Sequence, residues 1–495
     1  MSPRQSLSSP PGFHLPRLDG LADGIAVVEG EPDVIELTYH DTPDLRLARA
    51  GATLLYRGDD GWVVTLGRTA GDDPERPPPE HRFDGEAGQP PAAALDLVRA
   101  IVRTSKVNPV ARLRTRRRPV ELHDTSGKTL GKVVDDEVTV LSGGRVAARF
   151  REVELEVDDA APEGLVETLH ARLRAAGAGP PDPSPQIVRA LGWRALEPPD
   201  VAVAHRLGPS PTAGEVIRNA VAASVARLVA HDPGVRLGDD PEDVHQARVA
   251  TRRLRSDLRT FRDLLDADWT HSLRRDLRSI AHELGAVRDT EVLLDRLRAH
   301  AERLPAADQP AAKKIIQRLL GRWDEARAEL RDALAGTRYA ELLDRLVEAA
   351  REPAVLPEAG GPAAELLPPL VRHPWEKLRA TVDELPDDPT DAQLHEVRIE
   401  AKRCRYAAEA VAPAVGKRAR AFAKAIADLQ DVLGEHQDAV VAEAWLRDVA
   451  TTATGREVFV AGQLASIERL EIDSTRAAWG EVWRAASKKK LRQWL

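Results

Sequence analysis

The chain has 495 residues, 42% hydrophobic and 30% charged, which excludes a disordered polymer and requires more than one core. Its net charge of −8 excludes a protein that coats nucleic acid by bulk electrostatics, so an anionic polymer has to be met by a local basic patch. The single cysteine, Cys404, excludes an intrachain disulfide and a thiolate-built zinc site; the absence of a long apolar run or an apolar signal core makes the cytoplasm the expected location, without membrane contact.

Residues 1–177 carry short β-like segments separated by turn signals. Strands are expected at 34–41, 53–57, 62–67, 109–117, 120–124, 132–141 and 150–157, and helices at 95–103 and 162–177. Residues 71–91 read as a polar, proline-rich loop. From 178 to 211 prolines crowd the chain, as expected of a linker, with one short helix at 187–196. From 212 to 495 the periodicity is helical, in halves of about 212–350 and 370–495 separated by the loop at 351–369; a second loop is expected at 231–243.

The two halves repeat each other. HQARVATRRLR (245–255) aligns without a gap to HEVRIEAKRCR (395–405), and LGAVRD (284–289) matches LGEHQD (433–438). Helical spacing places His245, Arg248, Arg252, Arg255 and Arg259 in one stripe about 21 Å long at 1.5 Å rise per residue. The second copy repeats it with His395, Arg398, Lys402 and Arg405, then breaks it with Glu409. Asp240-Pro241 and Thr390-x-x-Gln393 mark the starts of the two helices. Surface helices usually mix signs at i,i+4, and these stripes do not, so their like charges call for a counter-anion. The competing structural reading pairs the arginines with acids on a neighbouring helix such as 275–289. No second histidine sits at helical spacing beside either histidine, so neither is read as a metal ligand.

The H-x-x-R-V-x-x-R-R-L-R run and its degenerate second copy resemble the CHAD family, over about residues 205–495. That resemblance implies two pseudo-symmetric helical bundles around a basic groove that holds inorganic polyphosphate. Matched by position, the implied contacts are His245, Arg248, Arg252, Arg253, Arg255, Arg259, His395, Arg398, Lys402, Arg403 and Arg405, with Lys417, Arg418 and Lys424 as secondary contacts.

YHDTPDLRLARAGATLLYR (39–57) and FREVELEV (150–157) resemble the CYTH family. That resemblance implies an antiparallel β-tunnel whose inward charges grip a triphosphate and a divalent metal. Alternation puts Arg112, Arg114 and Arg116 on one strand face and Glu152, Glu154 and Glu156 on another. With Arg57, the arginines are the vestigial triphosphate set; the glutamates are the vestigial metal ligands, for Mg²⁺ or Mn²⁺ only if the domain is active. Departures from the family are pronounced. No acid precedes Asp19, so the opening E-x-E-x-K strand is expected to be missing; Leu55 and Thr65 stand where an arginine and a lysine are expected. The reading is therefore a degenerate β-tunnel domain joined to an all-α domain. The expected function is polyphosphate binding, with no required cofactor, no catalytic residues and no nucleic-acid partner, at polyphosphate granules. The alternative is a metal-dependent triphosphatase or polyphosphatase acting through the first domain. No P-loop, G-x-S-x-G or H-E-x-x-H is present.

Overall fold

In the computed structural model, which describes residues 5–67, 78–142 and 144–495, the chain divides into two compact units, Met1–Asp200 and Val201–Leu495.

The first unit contains strands β1 (Gln5–Ser9), β2 (Ala26–Glu29), β3 (Asp33–Asp41), β4 (Thr53–Arg57), β5 (Gly61–Thr65), β6 (Glu80–Phe83), β7 (Asn108–His123), β8 (Thr129–Ser142) and β9 (Arg145–Val157). Its helices are α1 (Arg46–Arg49), α2 (Ala92–Leu97), α3 (Arg99–Val102), α4 (Leu165–Ala175) and α5 (Gln186–Leu191). The strands form one antiparallel sheet in the order β1-β9-β8-β7-β3-β4-β5-β6, with β2 also paired to β7. Among the described residues no pairing joins β6 back to β1, so hydrogen bonds do not close the sheet into a tunnel.

Three sequence expectations change here. The segments at 109–117 and 120–124 are one strand, β7, despite Pro119. That proline lies where the strand's neighbour changes from β3, which ends its pairing at Arg117, to β2, which starts at Val120. Gly30 makes the crossing, and a β-carbon there would sit 2.8 Å from the Pro119 ring. The proline-rich loop contains β6; its residues 71–77 lie outside the described residues. The linker is no free tether before residue 200. α5 and the turn after it cover one face of the sheet, burying Ile187 and Ala195 among Leu37, Tyr39, Leu55, Val63, Leu113 and Val138. α4 covers the opposite face at the other end of the long strands, with Leu165, Leu169 and Leu173 against Val133, Val153 and Leu155.

The second unit is helical: α6 (Ala213–Leu237), α7 (Pro241–Thr260), α8 (Ala267–Ala301), α9 (Gln309–Ala335), α10 (Thr337–Arg351), α11 (Ala363–Leu366), α12 (Pro368–Asp383), α13 (Asp391–Val415), α14 (Lys417–Thr452) and α15 (Arg456–Ala486). Helix starts follow the sequence signals. Asp240 caps α7 with Pro241 in its first turn, and Thr390 and Gln393 form a reciprocal capping box on α13. The loop expected at 231–243 begins only at Gly238. α6 runs through Pro233 because Asp232 is buried there, held by Arg236 at 2.7 Å and the Tyr339 hydroxyl at 2.8 Å. Gly238, at φ +72°, makes the left-handed residue that ends the helix.

α7 packs on α13, so the two repeated basic helices face each other. A second junction joins the halves through Leu297, Ile315 and Leu319 against Leu446, Val460 and Leu464, all essentially inaccessible. Burying each such side chain contributes roughly 1.5–3 kcal/mol, so the two halves are held as one body by apolar packing. Among the described residues no helix is long and apolar enough to cross a membrane.

Candidate anion-binding groove

α7 and α13 start with sound caps, and both turn a buried edge inward: Ala247, Ala250, Leu254 and Leu258 on α7, Val397, Ala401 and Cys404 on α13. That packing fixes the rotation of each helix and projects the charged stripe onto one side. Arg248, Arg252, Arg255, Arg278, Asp289 and Lys402 line a cleft of about 370 Å³ between α7, α8 and α13. Arg252, Arg255, Arg259, Ile399, Lys402, Arg403 and Tyr406 line an adjoining cleft of about 200 Å³.

The LGxxxD repeats complete this arrangement in both halves. The Arg248 Nε lies over Gly285, 4.0 Å from where a β-carbon would be, and the Arg398 Nε lies over Gly434 at 3.8 Å. Arg248 then donates to Asp289 at 2.7 Å, and Arg398 is the cation that most favours the charged form of the half-buried Asp438. Each repeat therefore contributes an arginine, a glycine that lets it cross the next helix, and an aspartate.

The electrostatics are those of like charges pressed together. Burial pushes the Arg252 guanidinium below its usual range, and Arg248, Arg405 and Arg398 add to the effect. Lys402 is pushed down to about 8, first by burial and then by Arg252, Arg398 and Arg248. Arg255 is lowered by burial and then by Arg278 and Arg274 on α8, and Arg259 by burial and then by Arg274 and Arg403. His245 is lowered by burial and by Arg288. Among the described residues no carboxylate lies within 4.0 Å of Arg252, Arg255, Arg259, Arg398 or Lys402. The pairing with 275–289 that a structural stripe would need is limited to Arg248–Asp289. Arg252 rests over the Tyr406 ring at 5.3 Å, and the buried Tyr406 hydroxyl, His395 Nδ1 and Arg398 Nε have no hydrogen-bond partner among the described residues. A polyanion would supply acceptors to this set.

Other sequence candidates are placed differently. Arg253, an implied contact, lies off the stripe and pairs with Glu409 and, at 3.6 Å, with the buried Asp257. Arg405 donates to the same Glu409 at 2.7 Å, and Arg403 pairs with Glu400. Lys417, Arg418 and Lys424 are exposed on the first turns of α14, outside both clefts, and Lys424 is paired with Asp428. The sequence reading missed Arg274, Arg278 and His282 on α8. Their i, i+4, i+8 spacing is legible in the sequence, but the same segment also carries acids such as Asp276, Glu283 and Asp289 that mask it as a mixed-charge face.

In the first unit the strand register separates the vestigial set. Leu37 pairs with both Arg57 and Leu113, so Arg57 shares the α5-covered face, while Arg112, Arg114 and Arg116 point to the opposite face, Arg114 with Glu36 at 3.8 Å. These four arginines cannot grip one triphosphate. Glu152, Glu154 and Glu156 alternate onto the Arg57 side. The opening strand expected to be missing is present as β1, but Ser8 and Ser6 stand opposite Glu152 and Glu154. Glu152 is held by Arg189 and, at 2.8 Å, by Gln186 of α5. Among the described residues no three candidate ligands gather to hold a metal ion. The residues present thus do not fit the divalent metal that the CYTH family implies. The Y-x-D-T-P signature is structural: Asp41 accepts backbone N–H groups from Thr42 at 2.6 Å, Leu47 at 2.9 Å and Ala48 at 3.0 Å.

Comparison with known proteins agrees with this division. Residues 15–182 match the CYTH domain family and residues 219–447 the CHAD domain family. Two uncharacterized proteins of Mycobacterium tuberculosis, MT2285 of strain CDC 1551 and Rv2226 of strain H37Rv, are each 32% identical over 479 residues, covering 91% of this chain and 89% of the relative. Among solved structures, PptA from Streptomyces chartreusis is 24% identical with a TM-score of 0.47, covering 56% of this chain and 100% of that one. The CHAD domain from the plant Ricinus communis is 27% identical with a TM-score of 0.45, covering 56% of this chain and 96% of its own. With an antiparallel CYTH unit followed by a duplicated helical CHAD unit, and relatives aligned over nearly their whole length, this chain belongs to the family of two-domain CYTH–CHAD proteins.

Proposed function

We propose that this protein binds inorganic polyphosphate in the groove between α7, α8 and α13, and that this binding brings it to polyphosphate granules in the cytoplasm. The observation that carries the reading is the group of five cationic side chains, Arg252, Arg255, Arg259, Arg398 and Lys402, crowded together without a carboxylate in contact among the described residues. Folding against that repulsion is disfavoured, and a linear polyanion relieves it. Guanidinium forks suit phosphate oxygens. The aromatic ring in these clefts, Tyr406, is buried beneath arginines and offers no platform for stacking a base.

The test is binding of the full chain to fluorescently end-labelled long-chain polyphosphate, with duplex DNA and heparin as competitors. Saturable binding that unlabelled polyphosphate displaces far better than DNA supports the reading. Binding that DNA displaces equally, or no binding, defeats it. A fluorescently tagged chain that leaves granules when Arg252 and Arg255 are changed to Glu tests the location.

A further inference from the structure

The 150-residue repeat relates two further cavities that differ in charge. At the C-terminal end of α7, Arg259, Arg262, Lys377 and Arg403 line a cavity of about 710 Å³, bounded by α12. It shares Ser256, Arg259 and Arg403 with the cleft above it, which in turn shares Arg252, Arg255 and Lys402 with the first, so the three form one track along α7. Its acids are matched one to one, Asp263 with Arg262 at 3.3 Å and Glu400 with Arg403, which leaves Arg259 and Lys377 without a carboxylate partner among the described residues.

The repeat's counterpart is the cavity of about 350 Å³ between α6, α7 and α13. Its wall residues Ala250, Arg253, Glu409, Ala410 and Pro413 correspond to Glu400, Arg403, Arg259, Thr260 and Asp263 of the first. The exchange that matters is Arg259 for Glu409. Glu409 accepts from both Arg253 and Arg405, the two arginines that would otherwise extend the second arm, and the buried Asp257 adds a further acid. The α8 wall is also one-sided: at the 149-residue offset of the LGxxxD repeats, Arg274, Arg278 and His282 correspond to Ala423, Ala427 and Asp431 on α14.

Resting on the polyphosphate reading, we infer that the groove is one-armed. The bound chain runs from the α7–α13 crossing along α7 toward α12, and Glu409 closes the equivalent arm in the other half. The open arm, from Arg248 to Arg262, is about 21 Å long at helical rise, so only a chain of several phosphates reaches its far end.

The experiment measures the affinity of the full chain and its variants for tripolyphosphate and for long-chain polyphosphate. Arg262→Gln with Lys377→Gln is expected to weaken long-chain binding by about tenfold and to leave tripolyphosphate binding unchanged. Glu409→Gln releases Arg253 and Arg405 without altering size, and is expected to tighten long-chain binding by about tenfold. If Arg252→Gln with Arg255→Gln abolishes binding while Arg262, Lys377 and Glu409 variants change neither ligand, the one-armed track is wrong and the groove reading stands. If Glu409→Gln weakens long-chain binding with the fold intact by circular dichroism, Glu409 is no closure and the inference fails. If wild type binds neither ligand, both readings fall together.

Discussion

Replacing Arg252 and Arg255 with Gln separates a binding stripe from a structural one, because the two readings predict opposite signs for stability. Neither arginine has a carboxylate in salt-bridge range among the described residues, and both lose charge stabilisation to burial and to neighbouring arginines. Removing them takes away repulsion and leaves no orphaned acid; the attraction given up is that of Arg252 for the Tyr406 ring, worth about 0.5–2 kcal/mol. The double variant should therefore melt within about 2–4 °C of wild type or above it, the shift expected of roughly 1 kcal/mol in a unit of this size. Binding should respond far more. Two charge-assisted hydrogen bonds at about 1.5–3 kcal/mol each correspond to roughly a hundredfold to ten-thousandfold loss. Salt dependence gives an independent count. With five cations that lack a carboxylate partner among the described residues and about 0.7–0.9 released counterions per neutralised phosphate, the log–log slope should be about −4 for wild type and shallower by about 1.4–1.8 for the variant. Calorimetric melting and fluorescence anisotropy across a salt series provide both readouts, with exposed Arg298→Gln as control. A variant that melts far below wild type but binds as well would refute the reasoning.

Lys402 gives a pH signature. Its value of about 8 lies below the ordinary 10.5, so the unfolded chain holds more protons between these limits and stability rises with pH across that window. Polyphosphate prefers the protonated amine, so affinity should fall over the same window; Lys402→Gln should flatten both profiles, and an unchanged binding profile would remove Lys402 from the site. Asp257 runs the other way: burial pushes it up to about 7, so its contribution to stability is lost as pH rises from about 4 through 7. Asp257→Asn should raise the melting temperature at pH 8 relative to wild type and make little difference near pH 4, as scanning calorimetry will show. Phosphate release from tripolyphosphate with Mg²⁺ or Mn²⁺ should stay at background, since serines face Glu152 and Glu154 and α5 holds Glu152; metal-dependent turnover lost on Glu154→Gln would overturn that expectation.

Local signals served the helical unit well. The caps at Asp240 and Thr390, the paired H-x-x-R runs and the LGxxxD repeats are short-range patterns, and each appears where the sequence places it. What the sequence concealed was partnership across the fold. Arg252 and Arg253 are adjacent and chemically identical, yet one faces the groove and the other meets Glu409, 156 residues away. Alternation correctly put Arg112, Arg114 and Arg116 on one face, but which face depends on the β3–β7 register, which no local pattern encodes. β1 was missed because QSLSS carries no strong strand signal and is ordered by pairing with β9.

The three backbone N–H groups gathered by Asp41 also bear on how such proteins are recognised. That carboxylate closes the turn between β3 and α1, so the motif's aspartate is needed for the chain to fold whether or not the sheet does any chemistry. Serines can stand at positions 6 and 8, opposite Glu154 and Glu152, in a chain that keeps the signature, because the two are under separate physical demands. The motif therefore identifies ancestry and architecture, and whether a given copy can turn over a substrate has to be read from the strand beside it.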